Sequence, residues 1–562
     1  MDIKGDNIIN ININIKLYIR LIGIVDNIIL LLLLFSDINL LIPVVIDRVP
    51  NVINKLNVGN IDMYRIVPSS FMLLVRKIFM INDNILVILP PIISMIVDLI
   101  NLFFIFNCMF FLLNFYLCDI IILREGDFMY HFIGIKGAGM SSLAIIMKQL
   151  GYDVKGSDLG KHFFTEVGLN ENNIEFTEYN ENNISEGMTI VRGLSITKEN
   201  PEYSKALELG LEIIDYNEMV GILTRKFKTI CVAGCHGKTT TTSMIAHVFN
   251  KINGINYLVG DGTGWANKEN EMFVLESCEY QRHFLSYLPY YAIILNIDLD
   301  HVDYFKDIDD VINAYEEYAN SCSKMIIANG DDDNVRKMNI NKDISYFGLA
   351  ENNNIIAKDI EYTSNGTNFS VYVDGNLYGK FSLPIYGEHQ LYDALATISV
   401  CYYEDIDSKL VGNYFESFGG AKRRFSETFV KDNIIIDDYA HHPNEVKATI
   451  NAIKQKYPGK LVVSIFQPHT FTRTMEFASD LAVELGKTDV SYILDIHPAR
   501  EKQEDYPDVT SNIIINNMKN GHSITINDAS VLNQYKGAVF IFMSPNDLSK
   551  LEGDLISLKE KE

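Results

Sequence analysis

At 562 residues the chain has room for roughly three or four domains of about 150 residues each, so burying a core is not limiting. A net charge of −24 excludes a nucleic-acid backbone as partner, because neutralising phosphates takes clustered Lys and Arg. The seven cysteines are scattered without C-x-x-C or other metal-ligand spacing, which fits free thiols in a reducing cytoplasm and excludes a disulfide framework.

Residues 1–128 differ from the rest. They are rich in Ile, Leu, Asn and Phe and contribute only −2 of the net charge. The runs 28–46 and 99–123 are long enough to span a membrane, but Asp37 interrupts the first and Asn101, Asn107, Asn114 and Asp119 the second. Met129 stands directly before an uninterrupted strand pattern. Two readings follow: translated upstream sequence with the true start at Met129, or a hydrophobic extension that provides the only route to membrane association. Neither carries a catalytic constellation.

From 129 to about 226 the pattern is strand, glycine loop, helix. Tyr130 to Ile135 is the strand, Gly134-Ile-Lys-Gly-Ala-Gly-Met-Ser141 the loop, and a second short strand ends at Ser157-Asp158. This is the opening βαβ unit of a Rossmann-like fold, with phosphates on the helix N-terminus at Gly137, Ala138, Gly139, Met140 and Ser141, and Asp158 near a sugar hydroxyl. Lys136 stands where a dinucleotide fingerprint requires its second glycine, which argues against NAD.

The next segment, to about 404, opens with Thr229-Ile-Cys-Val-Ala-Gly-Cys-His-Gly-Lys-Thr-Thr-Thr-Thr242. A β-branched strand runs through Gly234, Cys235, His236 and Gly237 into Lys238, Thr239 and Thr240 at a helix start. Such a loop aims N–H groups and the positive helix end at a triphosphate; Lys238 can reach the outer phosphates and Thr239 can offer a hydroxyl to Mg²⁺. Two further apolar strands end in Glu276-Ser-Cys-Glu279 and in Asp298-Leu-Asp-His301. In an open α/β sheet both ends lie beside the loop, so Thr239, Glu276 and His301 are the candidate metal groups. His389 and Asp393 lie four apart on one helix face and are candidates for contacting a base.

From about 405 the adjacent Arg423 and Arg424 suit phosphate clamping. Strand ends then deliver Tyr439-Ala-His-His-Pro443 and Gln467-Pro-His-Thr-Phe-Thr-Arg473, polar groups fitted to a small zwitterion, with Arg473 available for a carboxylate.

Five stretches in this order, H-F-I-G-I-K-G-A-G-M-S (131–141), G-C-H-G-K-T-T (234–240), N-I-D-L-D-H-V-D (296–303), D-D-Y-A-H-H-P-N-E-V (437–446) and F-Q-P-H-T-F-T-R-T (466–474), resemble the Mur ligases. The resemblance implies an α/β protein with a Rossmann-like UDP-sugar-binding domain (129–226), a central P-loop ATPase-like domain (227–404) and a C-terminal Rossmann-like amino-acid-binding domain (405–562), preceded by the hydrophobic low-complexity extension (1–128). It implies a cytoplasmic, monomeric or homodimeric enzyme that uses ATP and Mg²⁺ to join L-alanine to UDP-N-acetylmuramate through an acyl phosphate. Lys238, Glu276 and His301 would be catalytic. ATP would meet residues 234–240, His389 and Asp393 at the adenine, and Arg424; the UDP-sugar would meet residues 137–141, Ser157 and Asp158; and alanine would meet Tyr439, His441 and Arg473. Y-A-H-H-P points to the alanine-adding branch. A murein-tripeptide recycling ligase and a non-catalytic nucleotide-binding relative are the alternatives. Cys235 replaces the family's threonine, Gln390 and Asp393 replace asparagines, and the 540–547 tail lacks a glycine-rich ending.

Overall fold

The computed structural model describes residues 129–561, apart from Asp303, Lys422 and Arg500. The two apolar runs at 28–46 and 99–123, and the choice between their readings, lie outside the described residues. Among the described residues no helix is long and apolar enough to cross a membrane.

Three sheets follow in chain order. The first is five-stranded and wholly parallel: β1 (Met129–Ile133) is central, β2 (Asp153–Asp158) and Met188–Arg192 flank it, and Glu175–Glu178 and Glu212–Asp215 form the edges. Gly134, at φ +88°, turns the chain off β1 so that its own N–H and that of Ile135 both donate to the Ser157 carbonyl, at 2.9 and 3.1 Å. A side chain at that φ would be strained. The turn leads into α1 (Ala138–Gln149), whose inner face is buried from Met140 to Met147.

The second sheet has ten strands. Its centre is β3 (Lys228–Ala233), which leads into the phosphate loop and α2 (Lys238–Ile252). Alternation along β3 sends Ile230 and Val232 into one apolar cluster and Cys231 and Ala233 into another, as expected of a parallel strand buried on both faces. A short hairpin strand, β4 (Thr263–Trp265), lies at one edge, and three antiparallel strands over 355–383 at the other. β5 (Met272–Glu276) and β6 (Tyr291–Ile294) pair with β3 on either side, so both acid-bearing strand ends emerge next to the loop. The helix α3 (Glu388–Tyr403) packs on α2.

The third sheet has six strands, five of them parallel, with β7 (Asn433–Asp438) and β8 (Val462–Phe466) on either side of Val539–Met543. α4 (Pro443–Lys456) follows β7 and α5 (Phe471–Leu485) follows β8. His442 caps α4, with Glu445 closing a capping box and Pro443 in the first turn.

The first two sheets share one apolar cluster that runs from Phe132 and Leu143 to Phe273 and Phe284. Their seam is closed by α1 against β4, where the Ala266 N–H donates to Gln149 Oε1 at 2.7 Å. A Cβ on Gly264 would stand 2.6 Å from the Ser142 carbonyl oxygen of α1. Gly264→Ala is therefore expected to destabilise the protein by about 1–3 kcal/mol through overpacking. Thermal melts followed by fluorescence of the adjacent Trp265, the chain's single tryptophan, check this, and an unchanged Tm would mean that the seam has slack.

Candidate active site

The phosphate loop is held from below. Gly237 adopts φ +85°, and a Cβ there would lie 2.4 Å from Asp393 Oδ1. Asn296 brackets the loop's main chain: His236 N–H donates to Asn296 Oδ1 at 2.8 Å, and the His236 carbonyl accepts from Asn296 Nδ2 at 3.0 Å. The Cys235 thiol faces inward, donating to the Asp298 carbonyl and accepting from the Asp298 N–H, both at 3.2 Å. Cysteine in place of threonine thus serves as a buried brace.

Lys238 lies at the loop's mouth. Its Nζ donates to the Gly234 carbonyl, to the Cys235 carbonyl at 3.4 Å, and to Glu279 Oε2 at 2.9 Å. Burial works against the Lys238 charge, but the nearly inaccessible Glu279 outweighs it and holds the ammonium above its usual range. Glu279 also lies 3.8 Å from His301 Nε2. Sequence reasoning chose Glu276 as the acid here and passed over Glu279. A second acid three residues on, beyond the end of an apolar strand, was the available signal.

Glu276 is held by the Gly260 N–H at 2.6 Å. Burial pushes its carboxyl upward, partly offset by Gly260, by Lys238 and Arg424, and by the Thr239 hydroxyl. His301, in the left-handed region at φ +53°, packs on Tyr280; burial lowers its pKa, and its Nδ1 is buried without a hydrogen-bond partner. A hydroxyl, a carboxylate and a neutral imidazole with an orphan nitrogen are donor types that suit a divalent cation.

The other expected ATP contacts separate. Thr240 is half-buried in the first turn of α2. The Asp393 carboxylate is buried beneath the loop, where Oδ1 accepts from the Thr241 hydroxyl at 3.0 Å. That places it as loop support, whereas a base contact was expected. His389 is kept neutral by burial and by Arg424, its pKa lowered to about 4. Arg424 keeps its charge against burial through Glu445, Asp438 and Glu276, and its guanidinium stacks 4.8 Å from the Tyr439 ring.

At the first sheet, Gly137, Ala138, Gly139, Met140 and Ser141 form the start of α1 as expected, although the Ser141 hydroxyl turns back to the Ala138 carbonyl. Ser157 is fully buried and donates to Glu202, which also pairs with His131, so this hydroxyl faces the core where a ligand contact was expected. Asp158 accepts from the Lys136 and Leu159 N–H groups, both at 2.7 Å, and so braces the glycine loop. Lys136 bends away from the loop to Glu166, 2.8 Å distant.

Across the site, Arg473 of α5 pairs with Asp300 at 2.5 Å. Burial opposes the Asp300 charge, but Arg473, His301 and His441 hold its carboxyl far below the usual range. His441 Nδ1 lies 3.0 Å from the Tyr439 carbonyl and 3.2 Å from Glu445. Glu445, Asn296 and Asp300 all lie inside stretches quoted above. Only the capping-box spacing from His442 to Glu445 offered a local signal for any of them.

A glycine loop between two acid-bearing strand ends, with an Arg/His/Tyr cluster contributed by a third α/β sheet, is the form of a nucleotide-dependent enzyme. Three family models match in tandem: the catalytic domain of the Mur ligase family over residues 129–228, the Mur ligase middle domain over 232–401, and the Mur ligase glutamate ligase domain over 423–538. The chain belongs to the Mur ligase family, whose members are ATP-dependent ligases. Among solved structures, the UDP-N-acetylmuramate-alanine ligase MurC of Thermotoga maritima is similar at TM-score 0.65 and 21% identity, covering 77% of this chain and 100% of that one. The murein peptide ligase of Psychrobacter arcticus gives 0.58 and 20%, over 77% and 99%. The MurF ligase of T. maritima, solved in complex with ADP, gives 0.52 and 17%, over 73% and 95%. At these identities the likeness establishes the fold.

Two outcomes test the geometry. Burial raises the Asp393 carboxyl from an ordinary 3.8 to about 7, against the Thr241 hydrogen bond and Arg424. The folded protein then keeps a proton that the unfolded chain has lost, so this group's stabilising contribution is complete below about pH 4 and gone once pH passes about 7. Asp393→Asn should accordingly raise Tm more at pH 8 than at pH 5, and an equal shift at both would place the carboxyl in a wetter setting. Glu279→Gln leaves the Lys238 ammonium without its counter-charge and is expected to cost about 10²–10³ in turnover with little change in circular dichroism.

Proposed function

We propose that the chain joins L-alanine to the carboxylate of UDP-N-acetylmuramate with hydrolysis of ATP to ADP and phosphate, a step in making peptidoglycan precursors. The observation that carries this reading is the convergence of the Lys238 loop and Glu276, Glu279 and His301 with the Tyr439, His441 and Arg473 group across the Arg473–Asp300 pair. A muramoyl carboxylate oxygen attacks the γ-phosphorus and ADP leaves, giving an acyl phosphate. The alanine nitrogen then attacks the acyl carbon to form the C–N bond, the acyl C–O bond breaks with its electron pair leaving on inorganic phosphate, and the amine gives up a proton to solvent or phosphate.

In this reading Lys238 neutralises the transferring phosphoryl group, since such chemistry rests on positioning and charge stabilisation. Thr239, Glu276 and His301 would hold Mg²⁺, which when bound neutralises phosphate charge. Residues 137–141 seat the UDP on the α1 N-terminus, with the Ser157 carbonyl and the Asp158 carboxylate supporting the loop from behind. Asp393 likewise supports the ATP loop, leaving His389 and Arg424 nearer the nucleotide. Tyr439, His441 and Arg473 receive the amino acid, a guanidinium suiting its carboxylate.

A second reading, ligation of a murein tripeptide, is favoured by the similarity to the P. arcticus murein peptide ligase over the same 77% of this chain. ADP release measured with UDP-N-acetylmuramate and L-alanine, against glycine and tripeptide, separates the two: alanine-dependent release is expected, and tripeptide-only release would reverse the assignment. Lys238→Ala should abolish turnover while retaining the folded spectrum. Full activity in that variant would remove Lys238 from its role.

A further inference from the structure

His236 is the one loop residue whose side chain reaches the third domain on both charge and ring contacts. Its main chain is pinned by Asn296, which fixes where the side chain leaves the loop. Nδ1 lies 3.4 Å from Glu445 Oε1, Nε2 lies 3.7 Å from Asp298 Oδ2, and the ring sits 4.8 Å from that of His442. Asp298 belongs to the loop after β6, whereas His442 and Glu445 are the cap and first turn of α4. Asn444 of the same turn donates to Asp298 at 2.6 Å. One side chain of the phosphate loop is thus wedged between carboxylates of two domains.

Two chemistries compete for this arrangement. His236, Asp298 and His442 place one ligand atom each within 4.8 Å of one another, and His442 Nε2 and both ring nitrogens of His236 are buried without a hydrogen-bond partner, a donor set that a zinc-class ion would accept. The position of Glu445, 3.4 Å from His236 Nδ1 and outside the three-ligand group, favours the ion-pair arrangement. Burial disfavours charge on His236, but Asp298 and Glu445, reinforced by Asp300, outweigh it and raise the pKa to about 9. The two nitrogens face one carboxylate each at ion-pair separation without hydrogen-bond geometry, a setting that favours the protonated ring. His442 goes the other way, lowered to about 4 by burial and then by His236, and remains neutral. The pair is a cationic ring resting on a neutral one.

Building on the ligase reading, we propose that His236 is a positioning residue: its ring, set between Asp298 and Glu445 and against His442, holds the amino-acid-binding domain closed over the phosphate loop, and so couples the seating of the triphosphate to the seating of the amine. The coupling has a physical continuation. Glu445 also accepts from the His441 main-chain N–H at 3.0 Å and lies 3.8 Å from Arg424, so a displacement of the loop is passed to groups on both the amine and nucleotide sides.

The test is a double-mutant cycle on the full chain. His236→Gln is expected to raise the KM for alanine about tenfold while changing the KM for ATP far less, and His236→Gln/Glu445→Gln should be no worse than Glu445→Gln alone, because both remove the same bridge. Losses that multiply, or an unchanged alanine KM in His236→Gln, overturn the proposal. Small-angle scattering requires no turnover: His236→Gln should enlarge the radius of gyration relative to wild type, and an identical value counts against the bridge even if wild type fails to ligate alanine. Absence of ligation by wild type would sink the functional reading alone. Co²⁺ binding with a visible absorption band that His442→Gln removes would replace the imidazolium bridge with a metal site.

Discussion

The Lys238–Glu279 ion pair, with its acid buried and its ammonium half-buried, is the constraint around which the site is arranged. A lone ammonium at that depth would lose its proton or draw in water, because burying a charge is tolerated only with a partner and satisfied hydrogen bonds. Glu279 supplies the partner, and the Gly234 and Cys235 carbonyls supply the remaining acceptors. Keeping those three groups together requires β5 to pair directly with β3, and the parallel register from Lys228–Met272 to Val232–Glu276 does so. The charge is in place before any ligand arrives, so the reorganisation is made during folding.

The same logic extends across the domain junction. Asp300 and Arg473 form a close pair with little exposure, which rigidifies the approach of α5 to the end of β6. Next to it, the His236 ring and the Asn444–Asp298 hydrogen bond join the loop to α4. Each contact is modest in isolation. Gathered at the N-terminal ends of two helices and one strand end, they join the sheets by paired charges and hydrogen bonds.

Much of the site was legible because its chemistry lies in local runs. The glycine loop with Lys238 and Thr239, the acid-terminated strands, and the Y-A-H-H-P stretch each announce a polar cluster at the end of a buried strand, and the sheets place them there. What the runs did not disclose is where each side chain points. Ser157 and Asp158 occupy a strand end that suggests a ligand, yet their oxygens are claimed by Glu202 and by the Lys136 and Leu159 amides. Asp393 shares a helix face with His389, but close packing of α3 on α2 turns it under Gly237.

The sequence alone settled the three-sheet α/β class, the phosphate loop and the order of the chemistry-bearing segments, since strand burial, glycine turns and helix starts are set by spacing over a few residues. Only the tertiary structure chose Glu279 as the partner of Lys238, paired Arg473 with Asp300, and brought His236 beneath α4. Those choices join residues up to 209 positions apart, from His236 to Glu445, and the energy of a buried charge depends on neighbours that no local pattern records.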